Sequence, residues 1–146
     1  MDRTTNVSGG GVLLALDVGA ARIGVAVTSP GVSIARPLTT ILNDDTVLQT
    51  IVQLVLDNKA TAVVVGLPRG LNGQDTGQTK TTEAFAEQLK ESLDVPLFWQ
   101  DEALTSQKAE EELRSRGKPY EKGDIDALAA CYILEDYLTS QEHVQI

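Results

Sequence analysis

Three carboxylates stand in this sequence where a carboxylate is costly unless something uses it. Asp17 closes the apolar run VLLALD, Glu102 follows VPLFWQD at the end of a second apolar run, and Asp126 opens the segment DALAACYILEDYL. A charge at the end of a buried strand carries a desolvation penalty, and a structural Asp opening a turn is the competing explanation for Asp17. Asp101 and Glu102 are adjacent and would point to opposite faces of a strand, so one of them is free to be a plain surface residue. Asp126 is better defined. Ala129, Ala130, Ile133, Leu134 and Tyr137 follow it at helical spacing, so the carboxylate shares the apolar stripe of a helix. Asp124 points elsewhere and suits the N-cap of that helix. The alternative for Asp126 is a first-turn acid favoured by the helix macrodipole, worth ~0.3–1 kcal/mol.

What is missing narrows the chemistry further. The one histidine, His143, lies among the last four residues, and the one cysteine, Cys131, sits in an apolar helical context that suits a packed thiol. No Ser-His-Asp or Cys-His arrangement can be assembled with these residues, and neither CxxC nor HExxH is present for zinc. The working groups of any enzyme here are carboxylates. Carboxylates at strand ends and helix starts suit Mg²⁺ or Mn²⁺, hard cations that take oxygen ligands and keep waters that can be activated.

With 146 residues, 42% of them hydrophobic, and no internal repeat, the chain can bury one sizeable core. A single domain over residues 12–139 is expected, after a disordered polar leader at 1–11 and before a flexible tail at 140–146. No stretch approaches the ~20 apolar residues of a membrane span, and no signal-peptide h-region opens the chain. A cytoplasmic protein without a membrane partner is expected, and a lone cysteine fits a reducing compartment.

The formal net charge of −9 excludes a general basic surface for nucleic acid. Net charge is an average, however, and Arg114, Arg116, Lys118 and Lys122 fall within the nine residues RSRGKPYEK. They read either as a solvated helix end whose cations complement the dipole or as a loop that contacts phosphate. The glycine-rich loop PRGLNGQDTGQTK leads into a helix whose free N–H groups could take a phosphate, or it is a surface loop only.

These residues need elements to position them. Residues 12–17, 24–28 and 34–41 read as three successive strands joined by GAAR and SPGV turns, which suggests an antiparallel meander. Val47, Leu48, Ile51, Val52, Leu54 and Val55 follow helical spacing, and TAVVVGLP reads as a buried strand. A helix over 79–93, a strand over 95–99, a helix from Thr105 towards Arg114 and a last helix over 124–138 complete the order βββαβαβαα. The class is α/β, a mixed sheet with helices on its faces.

DVGAARIGVAVTSP, VVVGLPRGLNGQDTG followed by FAEQL, DEALTSQKAEEEL and KGDIDALAACYIL together resemble the YqgF (RuvX) family. Its members are ribonuclease H-like proteins described as Holliday junction resolvases and as nucleases that mature the ends of pre-16S ribosomal RNA. The likeness spans residues 12–138 in four ordered segments. It implies a ribonuclease H-like, five-stranded mixed sheet with β1–β3 antiparallel and helices on both faces. It further implies that Asp17, Glu102 and Asp126 are the catalytic acids and the ligands of one or two Mg²⁺ or Mn²⁺ ions, and it selects Glu102 over Asp101. The substrate implied is nucleic acid, either pre-rRNA or branched DNA, cut by metal-activated water with no nucleotide cofactor. Arg22 matches the family pattern and becomes a candidate phosphate ligand with Arg114, Arg116, Lys118 and Lys122. One departure is Ala103, which stands where the family commonly has an arginine after the second acid. The DxGxxxxGVA pattern also resembles the first phosphate segment of the actin, Hsp70 and sugar-kinase superfamily, but those ATPases need two such domains. A non-catalytic nucleic-acid-binding or ribosome-assembly module on the same fold is the remaining alternative.

Overall fold

The computed structural model describes residues 11–102 and 105–146. Six strands form one sheet: β1 (Val12–Val18), β2 (Arg22–Thr28), β3 (Ala35–Leu42), β4 (Ala60–Pro68), β5 (Leu97–Glu102) and β6 (Val144–Gln145). Their order is β3-β2-β1-β4-β5-β6. The first three pair antiparallel, β1–β4 and β4–β5 pair parallel, and β6 returns antiparallel to β5. The expected count of five strands is therefore corrected to six. The added one has only two residues, Val144 opposite Trp99 and Gln145 opposite Phe98, too short to show any alternation in sequence.

Among the described residues, four helices cover the two faces: α1 (Val47–Asn58), α2 (Gly77–Ser92), α3 (Thr105–Ser115) and α4 (Lys122–Thr139). β1 is central, and its alternate side chains enter different cores. Leu14, Leu16 and Val18 join Ile51 and Val55 of α1 and Leu89 of α2, whereas Leu13 and Ala15 join Leu113 of α3 and Ala129, Ile133 and Leu134 of α4. A strand buried on both faces has no polar alternation, which explains the continuous apolar run ending at Asp17. That alternation puts Asp17 on the α4 side of the sheet. Among the described residues, no helix is long and apolar enough to cross a membrane.

Small residues let α4 lie close against the sheet. A Cβ on Gly24 of β2 would overlap the backbone carbonyl of Asp126, and one on Gly66 of β4 would overlap the Ile133 side chain. α4 begins two residues earlier than its periodicity suggests, at Lys122, with Glu121 as the extended N-cap residue. Asp124 is thus the third helical residue and not the cap. Its carboxylate still serves the helix end, accepting the Glu121 N–H at 2.9 Å. Asp124→Ala is expected to cost ~0.5–2 kcal/mol in chemical denaturation, the range for losing such a capping bond, with the Arg22–Asp126 contact intact.

Candidate functional site

The site is built where the parallel strands β1 and β4 end and α4 begins. Asp17 is the last-but-one residue of β1 and pairs with Gly24, the residue that receives the first turn of α4. Strand and helix are pressed together at that glycine, so Asp126 is delivered beside Asp17. Burial first, and the nearby Asp126 charge second, push the Asp17 carboxyl up from 3.8 to about 6. Arg22, the first residue of β2, reaches the same place. Its Nε donates to Asp126 Oδ2 at 2.5 Å, in a pair that is partly shielded from water. The tight connection from β1 to β2 fixes that approach, because Gly19 N–H donates to the Arg22 carbonyl at 2.9 Å and the Asn43 side chain donates to the Gly19 carbonyl at 2.8 Å.

Two of the three expected acids are therefore brought together, and the third is on the same face but differently engaged. Glu102 ends β5 opposite Pro68, and Phe98, two alternations earlier on that strand, packs on the α4-side core. Counting strands, Glu102 lies about 10 Å sideways from Asp17 and about 7 Å further along the strand direction. Its carboxyl is pushed up to about 9, chiefly by burial and next by a hydrogen bond and charge repulsion from Asp136, against a smaller opposing pull from Lys108. Asp136 of α4 is thus the neighbouring acid that, after burial, disfavours the charged form of Glu102. Sequence reasoning did not single out Asp136. The available signal was its position about 80° from Asp126 around the helix, on the border of the apolar stripe.

Among the described residues, no three Asp, Glu, His or Cys side chains stand close enough together to cradle a metal. The Asp17–Asp126 pair by itself fits a hard divalent cation. It supplies oxygen donors only, and a positive charge between the two carboxylates offsets both causes that raise Asp17, burial first and the Asp126 charge second. Arg22 supplies one such charge to Asp126 in its absence.

The loop after β4 folds over the strand ends next to Glu102. Arg69 donates its N–H to the Glu102 carbonyl at 2.9 Å, and its guanidinium meets Asp101 at 3.4 Å and also Asp75. Arg69, Gly70, Leu71 and Gly73 thereby wall a cleft of about 290 Å³ that ends on Asp101 and Glu102. Asp101, left open as an alternative to Glu102, faces Arg69 and not α4. At the start of α2, Thr76 caps the helix, and Thr79 donates to the Pro68 carbonyl at 2.5 Å. The basic segment is split in its roles. Arg114 of α3 and Arg116 just beyond its end pair with Glu110 and Glu112 of α3, while Lys118 lies in the α3–α4 connection and Lys122 opens α4. Ala103 lies outside the described residues. Cys131 is buried, and burial pushes its thiol up to about 11, as expected of a packed thiol.

A family model described as RuvX, Holliday junction resolvase, matches residues 11–140. The chain belongs to the RuvX family. A RuvX relative from a Sulfurihydrogenibium species is 41% identical over 128 residues, covering 86% of this chain and 88% of its own. One from a Roseiflexus species is 42% identical over 135 residues, covering 90% and 96%. Both carry the name "Putative pre-16S rRNA nuclease". Among solved structures, RuvC of T. thermophilus in complex with a Holliday junction substrate aligns over 93% of this chain and 99% of that one. Its TM-score is 0.57 at 16% sequence identity, a likeness of fold. The RuvX chain thus has the ribonuclease H-like fold implied by its motifs, and it is a member of a nuclease family.

Proposed function

We propose that this RuvX protein is a divalent-metal-dependent nuclease that hydrolyses phosphodiester bonds in structured RNA, trimming the ends of pre-16S ribosomal RNA. The observation that carries the reading is the meeting of Asp17 and Asp126, from a central strand and from a helix start more than a hundred residues later, with Arg22 on one of them. Family membership supplies the reaction class and the names of the relatives supply the substrate. In this reading Asp17 and Asp126 hold Mg²⁺ or Mn²⁺, and Glu102 is the third acid from the same sheet face. When bound, such an ion polarises a phosphoryl oxygen and activates water. Arg22 holds Asp126 in place until substrate arrives and then turns its guanidinium to the phosphate, a planar donor suited to that geometry. Lys118 and Lys122, with Arg114 and Arg116, hold the flanking strand.

Cleavage of an RNA carrying the 16S precursor ends is expected with Mg²⁺ and is expected to cease with a chelator. Failure to cut that RNA or a four-way DNA junction with either metal would overturn the reading. Cutting of the junction alone would make branched DNA the substrate. The second reading is a non-catalytic nucleic-acid-binding module, favoured by the burial of Glu102 and by the neighbouring Asp136, both of which disfavour its charged form. It predicts RNA binding without product under every metal condition.

A further inference from the structure

Beside the first turns of α4, on the side away from Asp17, lies a cleft of about 260 Å³ between the α3–α4 connection and β3. Leu113, Pro119, Tyr120 and Leu128 give it apolar walls, with Pro37 of β3 closing one side. Arg116, Lys118 and Asp124 also line it, two exposed cations and one carboxylate. This volume lies below the ~300–1,000 Å³ of sites for drug-sized ligands, so the cleft suits a single ring system.

We propose that this cleft receives one unstacked base of the nucleic-acid strand, with Arg116 and Lys118 on the adjoining phosphate and Asp124 on an amino group of the base. The proposal deepens the nuclease reading and rests on it for the class of ligand. Each part of the cleft matches one part of a nucleotide. The flat Tyr120 ring suits a base face, which stacks on aromatic side chains whatever its sequence, and the proline rings add apolar contact at the walls. Cations suit the phosphate. The Asp124 carboxylate accepts one backbone N–H from Glu121 and has acceptor positions left for an amino group. Bases bearing an exocyclic amine, in adenine, cytosine and guanine, are therefore preferred over uracil. Asp124 and Asp126 are two residues apart and so point about 160° apart around α4, which puts the cleft and the Asp17–Asp126 pair on different sides of the helix start.

The test is a titration of the full chain, without metal, by amide NMR with nucleoside 5′-monophosphates up to about 10 mM, a range that reports weak binding. GMP, AMP and CMP are expected to shift the amides of Lys118, Tyr120, Asp124 and Ala127, with UMP and ribose 5-phosphate at least about fivefold weaker. Tyr120→Leu should weaken GMP about tenfold, within the range for losing one base-stacking ring. Asp124→Asn, whose amide both donates and accepts, should erase the preference over UMP. Equal shifts with ribose 5-phosphate would reduce the cleft to a phosphate site and overturn the proposal. So would the absence of shifts at these amides with any nucleotide. Because no cleavage is involved, nucleotide binding in a protein that cuts nothing would overturn the nuclease reading alone, and cleavage without nucleotide binding would overturn only the base site.

Discussion

Asp17→Asn is expected to abolish metal-dependent cleavage, by on the order of 10³-fold or more, and at the same time to stabilise the metal-free protein. The two effects have one cause. In the folded chain burial and Asp126 raise the Asp17 carboxyl from 3.8 to about 6, so the ionised form is disfavoured by folding. Between those values the native state binds more protons than the unfolded chain, and this group's contribution to stability falls as pH rises. Below about pH 4 both states are protonated and the variant should match the wild type, whereas above about pH 6 the full difference is present, roughly 2–3 kcal/mol. Urea denaturation at pH 4 and pH 8 measures it. Adding Mg²⁺ at pH 8 should raise the melting temperature of the wild type and leave Asp17→Asn unmoved, since an ion that binds only the native site stabilises it by mass action. A variant no more stable than wild type at pH 8 would mean that folding does not disfavour the ionised Asp17 carboxylate. A stabilised variant of a protein that never cleaved would favour the non-catalytic module.

The residues of this site differ in how far their roles could be read in advance, and the difference is physical. Asp17 and Asp126 interrupt strong periodic patterns, a continuous apolar strand and a helical stripe, so a charge there is conspicuous and its direction follows from the element. Arg22 interrupts nothing. Only the β1–β2 register and the bond from Gly19 to the Arg22 carbonyl bring its guanidinium to Asp126, and that is a property of the folded turn. Glu102 and Asp136 depend on tertiary placement in a stronger sense. Where α4 crosses the sheet decides which acid its second half presents to β5, and no local pattern encodes the crossing. The basic segment is the opposite case, since Glu110 and Glu112 stand four residues before Arg114 and Arg116, a local spacing that carries the signal for both ion pairs. The order of elements along the chain was legible because each connection has its own signature, tight turns for the first three strands and intervening helices for the parallel ones. β6 was not, since two residues on an edge carry no periodicity.

Gly24→Ala is expected to be the most damaging single-atom change in the chain, although it touches no charged group. β2 reads RIGVAVT, and a glycine in the middle of a strand normally weakens it, so its presence implies a close approach of another backbone. The approaching group is the Asp126 carbonyl in the first turn of α4, which a Cβ would overlap. A flexible side chain could swing aside, but a helix backbone packed over Leu128, Ala129 and Ala130 cannot move without opening the whole α4-side core. Overpacking of that kind costs ~1–3 kcal/mol where side chains can adjust and more where they cannot, so a loss of at least about 3 kcal/mol in chemical denaturation is expected. Gly77→Ala is the matched control. It opens α2, its added Cβ meets nothing within 4 Å, and it should be neutral or slightly stabilising. The fraction of Gly24→Ala that folds at low temperature should still cleave about 10²-fold more slowly. Displacing α4 by even an ångström moves Asp126 relative to Asp17, and catalytic geometry is sensitive on that scale. Wild-type stability in Gly24→Ala would mean that α4 is free to ride on the sheet, and the pairing of the two carboxylates would then need some anchor other than this contact.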